Sequence, residues 1–458
     1  MGLPEVPSVE EVRGALRMPR SKFKEHAEYM LAESQMLERA LKSDVYRQLW
    51  KENRYPATLD GLLQMPVLTS AFYSGYEERD PRIPAGPVKA DKEGWLCSTG
   101  SIRMKFFSFS EYDERRLGTY GSRGHMMAGL PQGGAIINCG AEPPHCSLTM
   151  SQWMAKSYGM KSIPVIRGMK PEKVMEELMA NADNIVGIIG VPLITLRFLN
   201  TIVEKTGKPL EKMFPKFRKA ILGGENLNTK QRDALRKLGI EGHNIYASAE
   251  LCVPAAECDV HDGLHLFGDD VIPRLEAENG TAKYIWDCEK GHIGELIVTT
   301  PNREAFPLVN YRTNDVLEVI DTECPCGVTT PRIRVISRTD NVMNIGGAKA
   351  YECHIEERFE EVGRTHTIPD WQINWRMDNN NGIGYHRFEV LIDNDALNPR
   401  EVKDALLESL AGDKRTEQLF QAQEAGILNI DIRPLSHGEF EEKTVKLPHK
   451  RVRIVKKF

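Results

Sequence analysis

The sequence predicts an α/β protein in which a large N-terminal domain carries a parallel sheet extended by an antiparallel sheet or barrel, followed by a small α+β domain. Three observations lead there. From about residue 95 short apolar runs alternate with charged helical stretches. After residue 262 the chain becomes strand-rich, and beyond residue 338 a smaller mixed unit begins. The predicted division is therefore 1–337 and 338–458.

The elements follow in chain order. Residues 8–54 have helical periodicity, with Leu31, Met36, Leu37, Leu41 and Tyr46 near one stripe. Thr58 or Ser70 can cap the short helices that come next. The alternation then runs through "AIINCG", "QWMAKSYGM", "SIPVI", "PEKVMEELMANA", "IVGIIGVP", "FRKAILGG", "TKQRDALRKLG" and "HNIYAS". Strand and helix in turn are what a parallel sheet with crossover helices requires. Thr229 to Gly239 reads as a surface helix with Asn228 or Thr229 as its N-cap. "GLHLFG", "IPRLEAE", "HIGELIVTT" and "FPLVNYRTNDVLEVI" predict hairpins. In the last unit, helical "AYECHIEERFEEVG" and "PREVKDALLESLAG" flank strand-like "YHRFEVLID", and "ILNIDIRPL" precedes a basic tail.

Composition narrows the class. The chain has 458 residues, a formal charge of -5, 41% hydrophobic and 27% charged residues. That balance gives no reason to expect a nucleic-acid or membrane-surface partner. The acidic start "GLPEVPSVEEVRGALR" is not a secretory pattern, and no long apolar run predicts a membrane helix. Nine scattered cysteines suggest free thiols in a reducing cytoplasm, some of them open to metal ligation.

Four clusters carry chemistry, each beside a plainer reading. In "YRTNDVLEV", Asp315 can accept hydrogen bonds from a vicinal diol such as a ribose; an Arg312–Asp315 surface turn is the alternative. In "NIYASAELCVP", Glu250 stands where a parallel strand ends, able to hold magnesium against phosphate; a helix-start glutamate is the alternative. In "LGGENLN", paired glycines let a flat ring approach the backbone, or simply make a turn. The tail "LPHKRVRIVKKF" offers a lysine to an active site, or is a solvated basic end.

Taken in order, these clusters resemble the phenylacetate–CoA ligase branch of the adenylate-forming superfamily of acyl-CoA synthetases. The stretches "GELIVTTPNREAFPLVNYRTNDVLEV", "CPCGVTTPRI" and "SRTDNVMNIGGAKAYECHIE" carry the likeness, with "DGLHLFGDDVIPRLE", "DVYRQLWKEN" and "MPVLTS" adding to it. The resemblance implies a large adenylation domain and a small mobile C-terminal domain. It implies formation of an acyl-adenylate from ATP and a carboxylic acid, then transfer of the acyl group to coenzyme A. An aromatic or small cyclic acid is the expected substrate, and a homodimer the expected assembly.

By position, the resemblance places Asp315 on the ribose, Gly224, Glu225 and Asn226 along the adenine, and Tyr246, Ala247 and Ser248 beside the nucleotide. Glu250 would bind magnesium, Arg338 would contact ribose or phosphate, and Gly347 would lie on the loop that serves thioester formation. "HKRVRIV" aligns Lys450 with the catalytic lysine; His449 replaces the usual glycine, and Lys443 and Lys446 remain candidates. Ser98, Thr99, Gly100 and Ser101 fall on the phosphate loop, where Arg103 replaces a second glycine and Lys105 is out of register.

Ala249 stands where the family usually has Thr or Ser, and "NCGAEPPHCSLTM", with Glu142 and His145, replaces its aromatic acid-pocket segment. These departures leave two alternatives: transfer of the acyl group to an amine or carrier-protein thiol, or a nucleotide-binding homologue without chemistry. Cys258, His265, Cys324 and Cys326 form a candidate structural zinc site, with His261 as competitor for the imidazole ligand.

Overall fold

The structure is a computed structural model that describes residues 3–51, 53–77, 95–99, 104–143, 145–166, 169–339, 342–345, 348–380, 383–447 and 450–457. The chain divides into two compact units, residues 1–313 with 317–334, and residues 314–316 with 335–458. No helix among the described residues is long and apolar enough to cross a membrane.

In the first unit the alternating grammar becomes five parallel strands. Lys161–Pro164 lies at the edge, followed by Ala135–Cys139, Ile185–Gly190, Lys219–Leu222 and Glu241–Ser248. Every residue of Ala135–Cys139 is buried, as a strand covered on both faces by helices must be. Ile137, Ile188, Leu199, Phe214 and Leu222 belong to one core between sheet and helices. Helix Thr229–Lys237 is capped by Asn228, which accepts from Gln231 N while Gln231 reaches back to the cap. Of the two candidate caps farther upstream, Thr58 caps Leu59–Gln64 by accepting from Gly61 N. Ser70 instead begins its helix, and Thr69 accepts from Phe72 N.

Beyond Ser248 the sheet changes character. Cys252–Glu257 pairs antiparallel with Glu241–Ser248, and Leu264–Leu266 pairs antiparallel with Cys252–Glu257. The order continues through Arg332–Arg338, Tyr311–Asp321, Ile293–Thr299, Ile272–Glu276 and Ala282–Tyr284, completing a twelve-stranded sheet. The described strands remain an open sheet, so the antiparallel extension is a sheet rather than a closed barrel.

The second unit has its own four-stranded sheet. Hairpin strands Trp371–Asn380 and Ile383–Asp393 sit at its centre, with Leu428–Leu435 and Ile454–Lys456 added in parallel on either side. Ile355, Phe359, Ile373, Val390, Leu406 and Ile430 form its core. The basic tail is thus structured: Ile454 is buried in this sheet, and Arg453 pairs with Asp370 and with Glu356. A charge run becomes a strand here because its alternate apolar residues find a sheet edge.

Candidate active site and metal centre

The most developed polar site in the first unit is built around Glu250. This residue lies in the turn between Glu241–Ser248 and Cys252–Glu257, where the sheet switches from parallel to antiparallel pairing. No helix follows it, which removes the helix-start alternative. Its side chain is only 6% exposed. The Tyr311 hydroxyl donates to Glu250 Oε1 at 3.0 Å, and Arg303 Nη2 donates to the Glu250 carbonyl at 2.6 Å. Arg303 lies over the Phe109 ring and 3.9 Å from buried Asp113. Asp113 in turn accepts from the backbone N–H groups of Glu304 and Ala305 at 2.7 and 2.9 Å. A buried carboxylate held from both its side chain and its backbone is oriented before any ligand arrives.

Neither Tyr311 nor Arg303 had a role in the sequence reading. Tyr311 was visible in the "YRTND" cluster, whereas Arg303, flanked by Asn302 and Glu304 in "TTPNREAF", carries no local signal of its buried partners. Ala249, beside the glutamate, is buried with no polar side chain to offer.

The "LGGENLN" turn shows why its glycines matter. A Cβ on Gly223 would lie 2.8 Å from Ile245, and Gly224 has φ of +87°, so both positions favour glycine. Gly224 and Asn226 are exposed and Glu225 half-buried. The Glu225 carboxylate accepts from Leu193 N and Gln231 Nε2, each at 3.3 Å, so it also ties down the neighbouring helix starts. Tyr246 and Ser248 are half-buried and Ala247 is exposed at the end of their strand.

In the second unit, Asp315 and Arg338 are brought together, with Arg338 Nη1 donating to Asp315 Oδ1 at 2.8 Å. Arg312 is not Asp315's partner: it pairs with Glu295 at 2.5 Å and with Glu276 at 2.5 Å. The surface-turn alternative therefore fails, since Asp315 sits within the strand Tyr311–Asp321 and is 7% exposed. Lys450 lies in the short pairing of Lys450–Arg451 with Lys446–Leu447. Lys443 ends the helix His437–Lys443 and lies 3.5 Å from Glu439. Ser98 and Thr99 belong to strand Trp95–Thr99, paired with Met104–Ser108. Gly100, Ser101, Arg103 and Gly347 lie outside the described residues.

The replaced pocket segment is tightly built. Asn138 is fully buried, donates to the Leu148 carbonyl and accepts from Gly140 N. A Cβ on Gly140 would lie 2.5 Å from Leu148 N. His145 precedes the helix Cys146–Ser157 without capping it through its side chain.

The four zinc candidates converge within the first unit: the ligand atoms of Cys258, His265, Cys324 and Cys326 all lie within 4.8 Å of one another. Cys258 Sγ is 3.8 Å from Cys324 Sγ, the separation of about 3.8 Å that two 2.3 Å bonds at a tetrahedral angle produce. Cys326 Sγ is 3.3 Å from His265 Nε2. His265 Nδ1 is 2.8 Å from the Thr330 carbonyl, so Nδ1 carries the proton and Nε2 presents its lone pair to the sulfurs. Burial pushes His265 down to about 4, which keeps the ring neutral, and pushes the Cys258 thiol up to about 12. The donor set and its spacing fit a closed zinc site. His261 is not the imidazole of this cluster; its Nε2 is 2.7 Å from Glu241 Oε1.

No family model matches the chain. Phenylacetate-coenzyme A ligase of Thermus thermophilus is 28% identical over 284 residues, which cover 58% of this chain and 56% of the relative. The chain spans about half the length of the curated relatives it matches. Among solved structures, 2-hydroxyisobutyryl-CoA ligase in complex with 2-HIB-AMP superimposes with a TM-score of 0.72 at 15% identity, covering 96% of this chain and 91% of that one. The acyl acid amido synthetase GH3.15 in complex with 2,4-DB reaches 0.68 at 13% identity, covering 99% and 95%. The chain has the fold of the adenylate-forming enzymes.

Proposed function

We propose that this chain, a sequence relative of the phenylacetate–CoA ligases, is an ATP-dependent carboxylic acid ligase. It joins a carboxylate oxygen to the α-phosphorus of ATP with release of pyrophosphate, then passes the acyl group to the thiol of coenzyme A. The observation that carries this reading is Glu250, a buried and preoriented carboxylate just beyond the carboxyl end of the parallel strand Glu241–Ser248. Open α/β sheets bind ligands outside the carboxyl ends of their strands.

The reaction brings an anionic carboxylate to an anionic phosphorus, so catalysis depends on fixed positive charge and dipoles. Glu250 is the residue that would hold magnesium, which supplies charge neutralisation on the phosphate oxygens. Tyr311 and Arg303 are positioning residues that keep the Glu250 carboxylate aimed. Asp315 accepts from the ribose hydroxyls, and Arg338, held beside it, adds positive charge. The glycine turn at 223–224 admits the flat adenine. Lys450 supplies the ammonium that offsets charge developing on the transferred phosphate. The small second domain serves both half-reactions by reorienting.

The acid is aromatic or small and cyclic. A structural zinc held by Cys258, His265, Cys324 and Cys326 ties the loop 324–326 to the sheet. The same kinship favours a homodimer. Pyrophosphate release across a panel of carboxylic acids, with and without coenzyme A, tests the function. A coenzyme A thioester is the expected product. Turnover without coenzyme A, given an amine, would move the chain to amide synthesis, and silence across the panel with ATP bound would overturn the ligase reading.

A further inference from the structure

A second group of metal-ligating side chains converges at the amino end of the strand Glu241–Ser248. The strand spans roughly 23 Å before the chain reaches Glu250, so this group is remote from the candidate active site. Glu241 and His243 stand two residues apart and share one face of the strand. His261 comes from the turn after Cys252–Glu257 and closes the group, its Nε2 2.7 Å from Glu241 Oε1. His243 Nε2 is 3.8 Å from the same oxygen.

We propose that Glu241, His243 and His261 form a binding site for an imidazole-seeking divalent cation of the zinc or nickel class, with the Lys219 ammonium as its resident and exchangeable cation. Four features carry this inference. The first is that the donors already surround a positive charge: Lys219 Nζ lies 2.6 Å from Glu241 Oε2, 3.2 Å from His243 Nε2 and 3.6 Å from Asp259 Oδ1. The second is the tautomer of His243. A ring that accepts from Lys219 at Nε2 carries its proton on Nδ1, so the lone pair a metal needs already points into the cluster.

The third feature is the support behind His261. Its Nδ1 lies 3.3 Å from Glu257 Oε2, and Arg232 Nη2 holds Glu257 Oε1 at 2.7 Å. A carboxylate behind a histidine is the outer partner that orients metal-bound imidazole. The fourth is charge. Glu241 and Asp259 are anions beside Lys219, and Glu241 also meets His261, so a divalent ion that replaces the lysine ammonium and one His261 proton leaves the charge of the cluster unchanged. Two imidazoles and a carboxylate favour zinc, nickel or copper over magnesium or calcium. Binding moves Lys219 into solvent and releases the Nε2 proton of His261. Lys219 is 21% exposed, so its route outward is open.

This site is distinct from the sulfur cluster, and the proposal stands whether or not the chain is a ligase. The test is calorimetric titration of the untagged 458-residue protein with Ni2+, with zinc counted before and after. Wild type is expected to take up one Ni2+ without releasing zinc. Lys219→Met removes the competing charge and tightens binding by at least about tenfold. His261→Asn and Glu241→Gln, both at partly exposed positions, each weaken it by about tenfold or more. Absence of uptake by wild type, uptake matched by released zinc, or uptake that these substitutions leave unchanged would overturn the proposal.

Discussion

Tyr311→Phe removes one oxygen atom and tests whether Glu250 must be held to function. Tyr311 is fully buried, and its ring meets Phe107 edge to face at 6.4 Å. Phenylalanine keeps that packing, so the fold is expected to survive with an unfolding midpoint within a few degrees of wild type. What is lost is the hydroxyl's hydrogen bond to Glu250 Oε1 at 3.0 Å. A hydrogen bond to a charged group contributes roughly 1.5–3 kcal/mol. At about 1.4 kcal/mol per tenfold, that becomes a fall of roughly 10- to 150-fold in kcat/KM for adenylation, if the bond is needed in the transition state. The assay is acid-dependent pyrophosphate release as a function of magnesium concentration. The expected pattern is a higher magnesium requirement together with the lower kcat/KM. A variant with wild-type kcat/KM and an unchanged magnesium profile would refute the claim that Tyr311 orients this carboxylate.

Further predictions follow from the same geometry. Lys450→Ala is expected to abolish adenylation while ATP binding persists, measured by pyrophosphate release beside nucleotide titration; retained activity would shift the role to Lys446 or Lys443. Arg338→Ala, which strips the 2.8 Å partner from Asp315, is expected to lower kcat/KM by about tenfold or more, with Arg338→Lys restoring only part, because a point charge does not reproduce the guanidinium fork. Purified protein is expected to carry one zinc per chain, and Cys324→Ser to cost about 3 kcal/mol or more of stability, a loss of the size that metal removal can produce. Asp413 is held near 2 by hydrogen bonds from the Arg415 side chain. Its folded pKa lies below the unfolded value of about 3.9, so the stability it contributes is present above that value and disappears as pH falls toward about 2. Asp413→Asn should therefore flatten the acid limb of a melting-temperature profile.

Several parts of this protein were legible from local pattern. The strand–helix alternation from Ala135 to Ser248 follows from hydrophobic period, and Asn228 with Gln231 announces a helix start by hydrogen-bonding chemistry that needs only neighbours in sequence. The paired glycines at 223–224 marked a special backbone, and Cys324 with Cys326 marked a pair of candidate metal ligands. Other parts depend on residues far apart in the chain. Whether His261 or His265 joins the three cysteines was decided by which ring faces the sulfurs, a matter of strand register between Leu264–Leu266 and Arg332–Arg338. The tail looked like a solvated charge run until it found an edge beside Trp371–Asn380.

Local sequence alone determined much of the strand–helix alternation and the helix caps, because propensity, capping and periodicity act over a few residues. Tertiary structure decided which polar groups are partners: Tyr311 with Glu250, Arg338 with Asp315, Arg312 with Glu276 and Glu295. The reason is that a buried charge must be satisfied by whatever folding places beside it, and that neighbour stands 61 residues away for Glu250 and 23 for Asp315.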